Sequence, residues 1–197
     1  MSSRRPQQAF VEWIASLHPD VPEAAEAISA SLQEAPDRIS NAYRELLSGY
    51  RTERDDLIKV TAHLDPTREY TGLVGAHDIP FVSLCAHHFL PFFGHVRMVY
   101  EPGGLILGIG KMPRLVEMRT RRFQIQEFIA RDLCDDLMDG AQARGAFVQT
   151  SAQHLCVCGR GPNKPGAWNT TTYARGSLSA WRHLPPDSAP GAPGGPR

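Results

Sequence analysis

The chain has 197 residues, enough for one domain with a sizeable core plus appendages. Hydrophobic residues make up 42% and charged residues 21%, and 21 Lys+Arg balance 21 Asp+Glu, so no global charge points to nucleic acid or an anionic membrane as partner. No apolar run approaches the ~20 residues of a transmembrane helix, and "MSSRRPQQAFVEWIASLHPD" carries Glu12 where a secretory leader would be apolar, so the expected location is the cytoplasm.

The first two elements are helices. Phe10, Ile14 and Leu17 recur at helical spacing in Gln7–Leu17, as do Ala24, Ala27, Ile28 and Leu32 in Pro22–Glu34. Pro36 opens a third helix through Ile39, Tyr43, Leu46 and Leu47, with Gly49 as its expected C-cap. The polar linker "RTERDD" follows. From about Tyr70 the period changes: "HDIPFVSLC", "FFGHVRMVYE" and "LILGIGK" read as strands, the last two joined by a turn at Pro102–Gly104. "PRLVEMRT" and "FQIQEFIARDLCDDLMDGAQARG" read as helices, with Cys134 a small buried hydrophobe in the second and "RTRR" (Arg119–Arg122) a solvated face. "AFVQTSAQHLCV" and "WNTTTYARG" close the domain as strands, and "LPPDSAPGAPGGPR" reads as a disordered tail. The expected division is a helical arm over 1–50, a main domain over 51–183 and the tail over 184–197. Hairpins separated by helices predict an α+β fold, a four-stranded antiparallel sheet with helices on one face, whose uncovered edges call for a partner.

Within this frame "VSLCAHHFLPFFGH" is chemically unusual. Cys85 and His88 stand at C-x-x-H spacing, and "HLCVCGRG" supplies further thiols much later. Zinc favours thiolate and imidazole and, in catalytic sites, keeps a fourth position for water, so two cysteines and one histidine suit it. Buried thiols and satisfied core histidines are the alternative. His154 and Cys156, two apart in a strand, share one face, whereas His87 reaches the same cavity only if the backbone is irregular after Cys85. Two imidazoles beside an ion-held water form a hydrolytic arrangement.

"SLCAHHF", "GIGKMPRLVE", "RRFQIQEFIARDL" and "AQHLCVCGRG", in that order, resemble the GTP cyclohydrolase I family over roughly Pro36 to Gly176. The resemblance implies a tunnelling fold (T-fold) and zinc-dependent opening of the guanine imidazole ring of GTP, with formate release and rearrangement to 7,8-dihydroneopterin triphosphate. It further implies a homodecamer with active sites at subunit junctions. Carried over residue by residue, Cys85, His88 and Cys156 become the zinc ligands and His87 and His154 the catalytic histidines. Glu127, with Gln126 beside it, becomes the carboxylate that holds the guanine edge. Lys111, Arg114 and Arg160 become triphosphate ligands, and Arg38 an arginine from a neighbouring subunit. Read without the family, Glu127 is a structural carboxylate at a helix start and the three cations are solvated surface charges.

The chain departs from the family pattern at Ala86, where a glutamate is usual, at Gly110 for serine and at Ala35 for threonine. The acidic-Pro…Arg-Glu-Gly segment upstream is missing, and Cys158 is an added thiol that reads as a passive neighbour. These departures admit a divergent cyclohydrolase of a specialised pterin or deazapurine pathway, or one stopping at a formamidopyrimidine intermediate. From another class, they admit a catalytically silent zinc-stabilised binding protein. A zinc nucleobase deaminase is disfavoured, because its H-x-E and P-C-x-x-C signatures are absent.

Overall fold

The computed structural model describes residues 6–17, 19–35, 37–58, 61–63 and 70–183. The tail and Pro36, the expected first residue of the third helix, lie outside them. The chain divides into two compact units that part between Leu47 and Ser48.

The first unit holds α1 (Pro6–Leu17), α2 (Pro22–Glu34) and α3 (Arg38–Leu46). Pro22 sits at the first helical position of α2, where its missing N–H has no intrahelical partner to lose. In α1 the rings of Phe10 and Trp13, three residues apart and hence on one face, have centroids 5.9 Å apart. α3 is capped at its C-terminus by Leu47, not by Gly49.

Gly49 instead belongs to the second unit, in a 3-10 turn over Ser48–Arg51. Its N–H donates to the Arg121 carbonyl at 3.0 Å, and an added Cβ would collide with the carbonyl oxygens of Met118 and Arg121. This glycine serves a close backbone approach, not a helix end. After it come α4 (Arg54–Ile58), which begins inside the stretch that reads as linker and runs two residues past it, then β1 (Thr61–His63), β2 (Val74–Cys85), β3 (Pro91–Glu101), β4 (Leu105–Leu107) and α5 (Lys111–Thr120). β5 (Phe123–Gln124), α6 (Gln126–Asp135), a π-helical turn over Asp136–Gly140, β6 (Gly145–His154), α7 (Leu155–Cys158) and β7 (Asn169–Gly176) complete it.

The fold is α+β, as expected, but the main sheet has five strands, ordered β5-β2-β3-β6-β7. All neighbours are antiparallel except β2 and β5, which run parallel. β5 lies where the sequence reads as the start of a helix. Ile125, extended at φ −108° and ψ 132°, separates the two. β4 does not continue the hairpin from β3 either. It pairs with β1 in a separate two-stranded sheet, and its Leu107 N–H donates to the Tyr100 hydroxyl at 2.8 Å rather than to a β3 carbonyl.

Strand alternation explains the core. Phe92, Val96, Met98 and Tyr100 of β3 and Ala146, Val148 and Ala152 of β6 are buried in one cluster with Met112, Leu115 and Val116 of α5 and Ile129 and Leu133 of α6. Each large apolar side chain so buried contributes roughly 1.5–3 kcal/mol. The opposite sheet face is polar over His95, Arg97, Gln149 and Ser151, and Val99, Phe147 and Leu178 form a smaller cluster at one end.

"RTRR" is not the solvated face it resembles. Arg119 makes a two-pronged ion pair with Asp136, which is 1% exposed, through bonds of 2.7 and 2.5 Å. Arg122 donates to the carbonyls of Met118 and Gly49 and lies 5.1 Å over the Tyr50 ring. On the outer side of the same helix end, Arg175 of β7 meets Asp135 at 2.7 Å and Asp139 at 3.9 Å. Cys134 is the small core residue expected, fully buried, and burial pushes its thiol up to about 12. Because the thiolate is the reactive form, Cys134 should resist iodoacetamide in the folded protein near neutral pH. Peptide mapping that finds Cys134 alkylated before unfolding would contradict this burial.

Candidate active site and metal centre

The cavity lies where β2 ends, α6 begins and β6 passes into α7. Cys85 is the last residue of β2, and Ala86–His88 turn sharply after it. The Cys85 carbonyl accepts from the N–H of His88 at 3.3 Å and of Phe89 at 2.8 Å, while the Cys85 N–H donates to Leu90 at 2.9 Å. Phe89 adopts φ 57°, a left-handed conformation that costs a bulky residue on the order of 1–2 kcal/mol. Its ring rests 4.9 Å from that of Phe123. β5 holds the turn from the side, since Leu84 N–H donates to Arg122 and Ala86 N–H to Gln124, at 3.2 and 3.0 Å. The irregular backbone required for His87 to reach the cavity is therefore present.

Cys85, His88 and Cys156 each offer a ligand atom, and these atoms all lie within 4.8 Å of one another. The Cys85 sulfur is 3.7 Å from His88 Nδ1 and 3.8 Å from His87 Nδ1. Both cysteines are buried, whereas His88 is exposed. Cys156 arrives on the first turn of α7, not on a strand as the sequence suggests. Burial, then the neighbouring Cys85, pushes the Cys156 thiol above its ordinary value. Two adjacent buried thiols with an imidazole suit a soft or borderline divalent cation, which offsets the cost of ionising both sulfurs. Cys158 stands apart, its S–H pointing to the Ala167 carbonyl at 3.8 Å.

A cavity of about 350 Å³ opens beside this cluster, lined by Cys85, His87, His88, Glu127, His154 and Cys156 among others. Glu127 is exposed in the first turn of α6, where a carboxylate is favoured electrostatically. His154 is directly opposite Phe92 in the β3–β6 ladder, and the two rings stack at 4.3 Å with 5° between their planes. Burial lowers the His154 pKa, and the charge of Glu127 works against that. Gln126 also lines the cavity but is 4% exposed, its side chain bonded to Thr150, Asn169 and His154.

The expected phosphate ligands are less gathered. Arg160 is exposed just beyond α7, close enough to Cys156 to influence its thiol. Lys111 opens α5, and Arg114 borders a different recess with Thr52 and Glu117; neither lines the cavity. Arg38 is on α3 in the first unit. Residues that sequence reasoning passed over are Gln124, Thr170 and Thr171, which also line the cavity. The unbroken polar run "NTTT" carries no period that would single out Thr170 and Thr171.

A mixed fold with a thiol–imidazole cluster beside an open cavity that also holds a carboxylate and two further imidazoles defines a candidate metalloenzyme. The model of the family described as GTP cyclohydrolase I matches residues 21–184. GTP cyclohydrolase 1 of Streptococcus sanguinis (strain SK36) is 40% identical over 154 residues, covering 78% of this chain and 81% of that protein. The protein of the same name from Streptococcus pneumoniae (strain Hungary19A-6) has the same identity and coverage. A crystal structure of the archaeosine synthase QueF-Like in the apo form gives a TM-score of 0.45 at 18% identity, covering 55% of this chain and 98% of that one. The chain belongs to the GTP cyclohydrolase I family.

Proposed function

We propose that this chain hydrolyses the imidazole ring of GTP, releases formate and yields 7,8-dihydroneopterin triphosphate. The observation that supports this is the gathering of Cys85, His88 and Cys156 with His87, His154 and Glu127 on one cavity, in a chain of this family. Cys85, His88 and Cys156 would hold a zinc ion, which when bound lowers the pKa of a water ligand towards neutrality and polarises the bond under attack. The Glu127 carboxylate accepts two parallel hydrogen bonds from the amino and N–H edge of guanine, which orients C8 towards the cluster. His87 and His154 transfer protons to and from the ring nitrogens as the ring opens to a formamide and as formate leaves.

A triphosphate demands several cations; Arg160 stands near Cys156, whereas Lys111 and Arg114 do not line the cavity of their own chain. The reading therefore includes a homo-oligomer, a decamer by resemblance, in which Lys111, Arg114 and Arg38 complete the site across subunit junctions. Among the described residues no helix is long and apolar enough to cross a membrane.

Incubation of the purified, zinc-loaded protein with GTP should release formate and generate a fluorescent pterin after oxidation. Formate without pterin would assign an enzyme that stops early, and neither product would assign a silent binding protein. Glu127→Gln should raise KM for GTP about ten- to a hundredfold, because it replaces one charge-assisted acceptor by a donor facing the guanine edge. An unchanged KM would remove Glu127 from guanine recognition.

A further inference from the structure

We propose that Gln126 is a positioning residue for His154, which holds the neutral imidazole as its Nε2–H tautomer and leaves Nδ1 as the proton-transfer atom. The inference rests on the reading of His154 as a proton-transfer group, but its geometry stands by itself. The Gln126 amide could in principle face His154 through either its oxygen or its nitrogen. Two backbone carbonyls settle the choice. Gln126 Nε2 lies 2.9 Å from the Asn169 carbonyl and 3.3 Å from the Thr150 carbonyl, and these groups can only accept. It also lies 3.1 Å from Thr150 Oγ1. The nitrogen end is thereby committed, one hydrogen to Asn169 and the other shared between the two oxygens of Thr150.

The oxygen end must then face His154, where Oε1 is 2.8 Å from Nε2. An amide oxygen has no proton to give, so Nε2 must carry one. In the neutral ring that leaves the lone pair on Nδ1. Phe92, stacked on one face of the imidazole, fixes the plane of the ring, while the amide fixes its rotation about that plane.

The device has its own support. Thr150 is fully buried, and its hydroxyl oxygen, which accepts from Gln126, also shares a hydrogen bond with Thr171 Oγ1 at 2.7 Å. Thr150 and Thr171 are register partners in β6 and β7, so the sheet itself sets the anchor. α6 delivers Gln126, β7 supplies the Asn169 carbonyl, and β6 supplies both Thr150 and His154. A buried amide whose every polar atom is already bonded to protein orients a neighbour rather than reading a substrate.

Protein labelled with 15N in its histidine rings provides the test. Spectra are recorded well above the usual imidazole range so that the ring is neutral, with His154 assigned from the signals lost in His154→Asn. The expected wild-type spectrum shows a protonated Nε2 and an unprotonated Nδ1. The opposite pattern would overturn the proposal without recourse to any variant. Gln126→Met keeps the length of the side chain but removes the acceptor, and should give a mixture of tautomers; a spectrum identical to wild type would also overturn it. Kinetically, Gln126→Met should lower kcat for formate release by about a hundredfold, the lower range for loss of a proton-transfer group, with KM for GTP nearly unchanged. A raised KM with kcat intact would instead make Gln126 a substrate ligand. Absence of formate release in the wild-type protein would count against the cyclohydrolase reading, while the ring spectrum would still decide the tautomer.

Discussion

Cys156→Ser is expected to lose bound metal and hydrolytic turnover together, with formate release reduced on the order of a thousandfold or more. A catalytic ion contributes several kcal/mol of charge stabilisation, and each 1.36 kcal/mol is a factor of ten in rate. The three donors lie within 4.8 Å of one another, so removal of one sulfur leaves a thiolate and an exposed imidazole, a much poorer set. Cys158→Ser is the internal control. That thiol is only two residues away but points to the Ala167 carbonyl, so metal content and turnover should both be retained. Metal analysis per chain and formate release, measured on the same preparations, decide the matter. If Cys156→Ser kept a full complement of zinc, or Cys158→Ser lost it, the cluster would have been assigned to the wrong sulfur.

Asp136→Ala should cost about 3–5 kcal/mol of stability and lower Tm by roughly 10 °C, a large effect for a residue that lines no part of the candidate active-site cavity. Burial pushes the Asp136 carboxyl above its ordinary value, while Arg119 opposes the shift with two hydrogen bonds and its charge. Arg119, less buried, is raised by the same bonds. Loss of the carboxylate leaves a guanidinium with 23% side-chain exposure and no ion-pair partner at that position, and the price is mainly its desolvation. The pair replaced together, Arg119→Leu with Asp136→Leu, should recover most of the loss, because apolar groups of similar size do not need each other's charge. Thermal unfolding of Arg119→Leu, Asp136→Leu and the double variant measures the coupling. Additive losses would mean that the two side chains contribute independently.

Local signals carried much of this architecture. Proline at the start of α2 and apolar residues at helical spacing set that helix to the residue, and alternation from Phe92 to Tyr100 marked β3. Non-local contacts were hidden. β5 is two residues long, too short for any period, yet it pins the turn after Cys85 through Arg122 and Gln124. β4 reads as half of a hairpin, and only the Tyr100 hydroxyl and β1 explain where it pairs.

The site shows the same division. C-x-x-H spacing and a late pair of cysteines flagged three donors because thiols and imidazoles are scarce. The backbone that brings them together was misjudged at Cys156, which a helical turn delivers. Gln126 was legible as a neighbour of Glu127 but not as a buried amide. Adjacent helix positions point about 100° apart, so nearness in sequence to a proposed substrate ligand is no guide to role.

The widened turn at Asp136–Gly140 makes the end of α6 sensitive to reading frame. Asp136 points inward to α5, and Asp135 and Asp139 point outward to β7. Helix ends usually absorb an inserted or deleted residue by fraying. Here a one-residue change would rotate the following carboxylates by about 100°, driving a charge into the core and stripping Arg175 of its counterions at once. Length, more than composition, is what this segment must preserve.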